Sequence, residues 1–233
     1  MGLFDYFTQE GKLKRHAARV TNRDAQPEDR EASVRWLSDD GSPKALVALL
    51  GRFDMNLTQG LKDKSERDWV YQLLLGKGAA LREPLDHHLK ACKQFHLPLR
   101  LLEEVAGADA ATAKALELLD AERSRSAFYP EKKKNLLVWL AERTHPTAIA
   151  QVTEFLSDFD EEVRYAAIEV MAKQGSDDAR APLLEALLRP GEDSGRVRHR
   201  ICELFKARGW SVAGVDLGRA LAPGFSVVDD RIQ

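Results

Sequence analysis

Two stretches of helical apolar spacing follow one another between residues 160 and 188, which read DEEVRYAAIEVMAKQGSDDARAPLLEALL. In the first stretch, apolar residues recur every one to four positions, as on one side of an α-helix: Val163, Ala167, Ile168, Val170 and Met171. Asp160 is placed to cap the start of this helix, and Gly175 is placed to end it. Behind the break at residues 174–178 the second apolar series follows: Ala181, Leu183, Leu184, Leu187 and Leu188. The pattern predicts a helical hairpin with its turn at this break.

The same order of helix, short break and helix recurs along the chain. Copies occupy residues 28–53, 64–95, 131–156 and 194–221, and a weaker copy lies at residues 97–119. One apolar residue marks each first helix, with successive marks 27 to 36 positions apart: Val34, Val70, Leu101, Leu136, Val163 and Val197. A single helix pair cannot bury both of its apolar faces, so neighbouring pairs must stack. Because no stretch of any length alternates with the period of a strand, the sequence predicts an all-α fold, an α-solenoid of about six helix pairs.

The fifth copy carries the motif Asp-x-x-Val-Arg-x-x-Ala, followed by Gly-x-x-x-Ala-x-x-x-Leu. The residues are Asp160, Val163, Arg164, Ala167, Gly175, Ala179 and Leu183, and Val34-Arg35 and Val197-Arg198 repeat part of the pattern. The motif resembles that of HEAT-like repeats, and the whole chain resembles bacterial cytosolic HEAT-repeat proteins that begin with a short MGLFD segment. This resemblance implies a fold rather than an activity, since no activity is assigned to that group. It also implies that Arg164 pairs with an acidic residue of an adjacent repeat.

Composition and charge change this picture little. The 233 residues are 44% hydrophobic and 31% charged, and the net charge of −2 gives no general attraction to nucleic acid or anionic lipid. Cys92 and Cys202 form no CxxC motif and cannot build a disulfide framework, which favours a reducing compartment. We therefore expect a cytoplasmic, monomeric protein.

The N-terminal segment MGLFDYF leaves two interpretations open. It does not resemble a signal peptide, because its short apolar run precedes the basic residues, and no stretch of the chain is apolar enough to span a membrane. Its apolar side chains either cap the end of the core, which we favour, or form a short membrane anchor, although one small apolar cluster binds membranes weakly. The expected organisation is an N-terminal segment with a short capping helix (1–26), the repeat solenoid (27–221) and a C-terminal tail (222–233).

Tryptophan and histidine residues are the candidates for ligand chemistry. Trp36, Trp69 and Trp139 occupy near-equivalent places in first helices, which favours packing between repeats over base stacking. His88, Cys92 and His96 lie four residues apart, and imidazole and thiolate are good zinc ligands. Three ligands at this spacing are spread over about 12 Å of helix and cannot easily meet at one ion. The sequence therefore predicts no metal site and a buried Cys92.

Motifs of catalysis are missing from the sequence. It contains no GxxxxGK[ST], GxGxxG or GxSxG, and no His-Glu dipeptide of the kind by which some HEAT-like hydroxylases bind iron. We expect no enzymatic activity and no cofactor. The alternative is a nucleic-acid-binding or DNA glycosylase-like HEAT protein, which the net negative charge and the lack of a matching catalytic segment disfavour.

The connections between repeats are the candidate binding surface. After Phe53 comes DMNLTQGLKDKSE and after Leu119 comes DAERSRSAFYPEKKK, whereas the link after Leu156 is only SDFDEE. Long loops in compact domains are more often functional, and insertions in repeat proteins collect on a binding face. We therefore predict a protein-interaction scaffold that binds a protein partner through a concave face or through this loop edge. The candidate contact residues are Arg123, Arg125, Phe128, Tyr129, Lys132, Lys133 and Lys134.

The second helix of the fifth copy carries a prediction about stability. Leu183, Leu184, Leu187 and Leu188 form a band wide enough to touch both the partner helix and the next repeat. We expect this whole band to be buried, so that Leu184→Ala or Leu187→Ala costs about 2–5 kcal/mol.

Overall fold

The computed structural model describes residues 8–123 and 130–233, and these fold into α-helices with very little strand. The predicted all-α fold of HEAT-like helix pairs is confirmed. The chain divides into two compact units, Met1–Ala111 and Thr112–Gln233. The segment MGLFDYF and the candidates Arg125, Phe128 and Tyr129 lie outside the described residues.

The first unit opens with a short helix and continues with helix pairs. Its helices are α1 (Gln9–Val20), α2 (Pro27–Asp40), α3 (Pro43–Leu50), α4 (Gly60–Leu75), α5 (Arg82–Leu89) and α6 (His96–Ala106), with 3-10 turns at Gly51–Asp54 and Gly78–Leu81. The first helices of successive pairs pack in the order α2, α4, α6, and the second helices α3 and α5 pack on each other. Helix α7 (Ala108–Asp120) contains the boundary between the units.

The second unit repeats this arrangement. It contains α8 (Glu131–Leu140), α9 (Ala148–Val152), α10 (Glu161–Gln174), α11 (Arg180–Leu188) and α12 (Gly195–Arg208), with 3-10 turns at Thr153–Ser157, Asp177–Ala179 and Gly218–Ala220. The first helices α8, α10 and α12 stack in order, and α11 packs on the 3-10 turn Thr153–Ser157. Their core is aliphatic and includes Leu136 in the middle of α8 and Val163 and Val197 in the first turns of α10 and α12, all fully or almost fully buried.

The predicted ends of the fifth helix pair are confirmed in atomic detail. The Asp160 side chain accepts a hydrogen bond from the Val163 amide, which satisfies one of the free donors at the start of α10. Gly175 ends the helix with φ 67°, a left-handed conformation that a residue with a Cβ adopts only at a cost. A Cβ at this position would also lie 3.0 Å from the Arg208 guanidinium. Both the left-handed backbone of Gly175 and the nearby Arg208 side chain therefore favour glycine at this position.

The sixth pair lacks its predicted second helix. After α12 the described chain forms only the short 3-10 turn Gly218–Ala220, because Gly214 and Gly218 adopt positive φ values and interrupt the helical pattern. The chain ends in a hairpin of two short strands, β1 (Val227–Val228) and β2 (Arg231–Ile232), whose turn residues Asp229 and Asp230 are left-handed. Strand β2 packs on α12.

Candidate partner-binding surfaces

The predicted cations around the link from α7 to α8 are paired with carboxylates. Arg123 Nε lies 2.6 Å from Asp120 Oδ1 and 2.7 Å from Glu154 Oε1. Lys132 pairs with Glu122 and Lys134 pairs with Glu131, each at 2.7 Å. Paired charges of opposite sign cancel much of each other's field at a distance, so this edge projects less positive potential than the sequence indicates.

Lys133 corrects one of the site predictions. Its Nζ lies 2.8 Å from Asp158 Oδ2, and the two side chains are only 7% and 8% exposed. Asp158 follows the second helix of the same repeat and directly precedes α10. The ion pair therefore ties one repeat to the start of the next, and Lys133 is not available at the surface to a partner. The lysine-rich sequence gave no sign that one member of the run points inward.

Buried ion pairs of this kind recur between repeats. In the second unit, Arg164 Nε and Nη2 donate to the two oxygens of Glu192 at 2.8 and 3.0 Å, and the Glu192 side chain is fully buried. Glu192 lies in the link that leads to α12, so Arg164 finds its predicted acidic partner. In the first unit, Arg30 Nε donates to both oxygens of Glu66 at 2.8 and 2.9 Å, which joins α2 to α4.

The sequence motif did not identify the arginine of the first repeat. Val34-Arg35 matches Val163-Arg164 in the alignment of repeats, yet Arg35 is exposed and pairs with Glu31 on its own helix. Its guanidinium also lies over the Trp69 ring at 5.2 Å. The buried counterpart of Arg164 is Arg30, five positions before Arg35, and only the packed structure reveals this shift.

A groove in the second unit is lined by the 3-10 turn that follows α9 and by α11 with the residues after it. It has a volume of about 660 Å³ and runs between the 3-10 turn Thr153–Ser157 and α11. A smaller pocket of about 290 Å³ shares Leu188, Arg189 and Pro190 with it and extends toward residues 216–220. The apolar lining of the larger groove comprises Leu156, Ala181, Pro182, Leu184, Ala186, Leu188 and Pro190.

The groove explains why the leucine band of α11 is only partly buried. Leu183 and Leu187 are fully or almost fully buried, as predicted. Leu184 is half-buried and Leu188 is 38% exposed, and both line the groove. The prediction of a wholly buried band is therefore wrong for these two residues, because no described element covers that side of the helix.

The charged residues of the groove differ in whether they form hydrogen bonds or ion pairs with other groups of the protein. Arg180 donates from Nε and Nη2 to the Ser211 carbonyl, and Arg189 donates to the Leu156 carbonyl and to Glu192. Glu185 is exposed on α11 and forms no ion pair with the described residues, while Glu154 is shared with Arg123. The arginines are thus held by groups of the protein itself, whereas an acidic side chain remains available at the groove.

Apolar residues of the inter-repeat links fall into two groups. Met55 is buried and Leu57 is half-buried, so these side chains seal the edge of the core of the first unit. In contrast, Phe159 of the short link before α10 is 87% exposed, although its carbonyl is held by Arg164 at 3.0 Å. Link length alone therefore did not indicate which link exposes an aromatic side chain.

These stacked helix pairs and their buried arginine pairs define a class of helical-repeat protein, and sequence comparison supports the assignment. Residues 121–204 match the family model described as HEAT repeats. The prediction of a HEAT-repeat protein is confirmed by this match, which covers α8 to α11 and most of α12. No curated protein and no solved structure matches the chain. HEAT repeats commonly serve as protein-interaction scaffolds and are typically non-catalytic.

Within residues 8–123 and 130–233, no helix combines the length and the apolar character needed to cross a bilayer.

Proposed function

We propose that the protein is a non-catalytic, monomeric adaptor of the cytoplasm that binds a protein partner through the groove between the 3-10 turn Thr153–Ser157 and α11. The observation that carries this proposal is the exposure of Leu184 and Leu188 on a helix whose other apolar residues are buried. Apolar side chains that remain open in a groove of about 660 Å³ match the size and the chemistry of sites that accept side chains of a ligand. The two buried cysteines, which form no disulfide, agree with a reducing compartment.

The charges of the groove favour one kind of partner, a segment that carries apolar and basic side chains together. Arg180 and Arg189 already donate to backbone carbonyls, so they offer little to an acidic ligand. The exposed carboxylate of Glu185 provides a counter-charge for a lysine or an arginine of the partner. The apolar residues would supply most of the affinity, and Glu185 would orient the segment and accelerate its association.

Paired substitutions test the groove. The wild-type chain is first used to capture its partner from the native lysate. We expect Leu184→Ser/Leu188→Ser to lower the affinity for this partner by at least about tenfold, or 1.4 kcal/mol. The matched control is Val138→Ser/Val228→Ser, which removes two exposed apolar side chains outside the groove lining. Glu185→Lys should slow association at low salt and have less effect at high salt. Equal affinity of the groove variant and the control variant would contradict the proposal.

The loop edge is the second candidate surface, and the exposed Phe159 favours it. The sequence-based proposal retains Arg123, Arg125, Phe128, Tyr129, Lys132 and Lys134 as contacts for an acidic partner. Lys134→Glu, combined with Phe159→Ser, tests this edge, because Lys134 pairs with the exposed Glu131 and neither substituted residue lines the groove. Arg123 and Lys132 are kept, since Arg123 pairs with Glu154 of the groove lining and Lys132 pairs with the buried Glu122. Lys133 is left unchanged in this variant because its substitution would break a buried ion pair. Loss of the partner in this variant, with full binding by the groove variant, would place the contact at the loop edge.

The nucleic-acid alternative predicts a different result. Binding to duplex DNA requires cations that are free to replace counterions, and log affinity then falls with log salt concentration. The described cations of the loop edge are instead paired with carboxylates of the chain. We expect no shift of duplex DNA even at low salt, and a salt-dependent shift would favour the alternative.

A further inference from the structure

Three potential metal ligands meet in the first unit from two distant parts of the chain. Asp54 ends the 3-10 turn Gly51–Asp54, His88 lies in the last turn of α5, and Cys92 follows that helix. One ligand atom from each, a carboxylate oxygen, an imidazole nitrogen and the thiol sulfur, lies within 4.8 Å of the other two. The His88 Nε2 atom is 3.6 Å from Asp54 Oδ2.

The fold holds these three residues in place. The Cys92 amide donates to the His88 carbonyl at 2.9 Å, so one further turn of the chain brings the thiol to the side of the imidazole. Asp54 Oδ1 accepts hydrogen bonds from the Lys93 and Gln94 amides at 2.8 and 3.1 Å. These bonds fasten the segment behind α5 to Asp54 and leave Oδ2 directed at His88. The backbone thereby fixes a carboxylate, an imidazole and a thiol around one point.

The His88 imidazole has a buried nitrogen without a hydrogen-bond partner in the described part of the chain, and a metal ion would bind to its lone pair. His88 is 7% exposed, and its buried Nε2 has no hydrogen-bond partner among the described residues. The separation of 3.6 Å from Asp54 Oδ2 is too long for a hydrogen bond. A buried polar atom without a partner is costly, and such atoms in folded proteins call for an explanation.

We propose that Asp54, His88 and Cys92 form a binding site for a divalent transition-metal ion, with Zn²⁺ as the ion that suits them best. Oxygen, nitrogen and sulfur are the three donor types that Zn²⁺ accepts in proteins, and a thiolate disfavours Mg²⁺ and Ca²⁺. With bonds of about 2.0–2.3 Å, ligand atoms of a tetrahedral site lie roughly 3.3–3.8 Å apart. The Asp54–His88 separation is already in this range, and the most distant pair needs to close by about 1 Å.

Metal binding requires a particular protonation state of each ligand. Histidine binds a metal as the neutral imidazole, through the lone pair of the nitrogen that carries no proton. Cys92 binds as the thiolate and transfers its proton to solvent when the ion enters. Three protein ligands leave the fourth tetrahedral position to water or to a group from a partner.

Cobalt titration of the metal-free full-length chain tests the site directly. Co²⁺ takes the place of Zn²⁺, and a cobalt–thiolate bond absorbs in the near ultraviolet. We expect this band in the wild-type chain and its displacement by Zn²⁺. Cys92→Ser should abolish the band, and His88→Gln and Asp54→Asn should each weaken the affinity by about a hundredfold or more, since even outer groups of a metal site contribute 10- to 100-fold.

Two residues outside the proposed site provide matched controls. Cys202→Ser removes the other buried cysteine, and His87→Gln removes the exposed histidine next to His88. Both variants should retain the band and the affinity. Far-ultraviolet circular dichroism checks that each variant is folded, and Zn²⁺ should raise the melting temperature of the wild type but not of Cys92→Ser. A wild-type chain without the thiolate band, or a band that disappears in Cys202→Ser instead of Cys92→Ser, would overturn the proposal.

Discussion

The two units solve the same packing problem with different residues. In the first unit, Glu66 of α4 accepts hydrogen bonds from Arg30 of α2 and from Arg52 behind α3. In the second unit, Glu192 accepts from Arg164 of α10 and from Arg189 behind α11. In each case one carboxylate joins an arginine of a first helix to an arginine that follows the second helix. The outer guanidinium nitrogens reach nearby carbonyls, such as Ala25 in the first unit.

The two clusters differ in the number of carboxylates that accept hydrogen bonds from the arginines. The first unit provides two, because Asp63 also accepts from Arg52 at 2.7 Å. The second unit relies on Glu192, since Asp193 is 3.9 Å from Arg164 and almost fully exposed. A repeat therefore needs a buried arginine with a carboxylate partner, while the positions of both in the sequence can move. Buried charges tolerate this freedom only as long as each keeps a partner.

The largest expected effect follows from removing the shared carboxylate. Glu192→Ala leaves the buried Arg164 without a counter-charge, and we expect the free energy of unfolding to fall by about 3–5 kcal/mol. Glu66→Ala should cost less, about 2–3 kcal/mol, because Asp63 still pairs with Arg52. Urea denaturation followed by circular dichroism measures both values.

A control for these substitutions is Glu162→Ala, which removes an exposed partner of Arg196. It should change the free energy of unfolding by less than about 1 kcal/mol. If Glu66→Ala proves as costly as Glu192→Ala, the second carboxylate of the first unit provides no reserve, and the contrast between the units disappears.

A smaller effect decides which arginine of α2 corresponds to Arg164. We expect Arg30→Ala to cost about 1.5–3 kcal/mol, because it removes charged hydrogen bonds to Glu66 in a buried site. Arg35→Ala should cost less than about 1 kcal/mol, since Arg35 is exposed and pairs within its own helix. Thermal melts of the two variants give the ranking, and the reverse order would support the alignment indicated by the sequence motif.

The smallest expected effect is the loss of stability of the first unit at low pH. Burial alone would raise the pKa of Glu66, but hydrogen bonds from Arg30 and Arg52 outweigh it and hold this pKa below its ordinary value of 4.5. The pKa of Asp63 is likewise lowered, by Arg52 and by the Leu57 amide, against the effect of burial. Because the folded-state pKa values are lower, this stabilisation is complete above about pH 4.5 and is lost as the pH falls through the folded-state values.

Urea midpoints between about pH 6 and pH 3 measure this loss. Glu66→Gln should reduce the dependence of the midpoint on pH, because Gln does not titrate. An unchanged slope in this variant would mean that other carboxylates dominate the acid response.

Most residues of the candidate sites could not be predicted from the sequence, and the cluster around His88 illustrates why. The spacing of His88, Cys92 and His96 predicted that three ligands from consecutive turns would not meet at one ion. The third ligand of the proposed site is instead Asp54, which reaches His88 from 34 positions earlier because the 3-10 turn after α3 lies beside the end of α5. Charge patterns were misleading in the same way, since Lys133 lies between the partly exposed Lys132 and Lys134 in one lysine run and is itself buried.

Except for the missing second helix of the sixth pair, the sequence by itself determined the order of the helices and the caps of α10, because helical periodicity, capping residues and glycines act over a few residues. Asp160, Gly175 and the buried Val163 stand where the pattern indicated. Only the tertiary structure decided which charges are buried, which leucines of α11 remain open and which distant residue joins His88. These outcomes depend on contacts between residues about 25 to 36 positions apart, and the separation of partners along the chain varies from one repeat to the next.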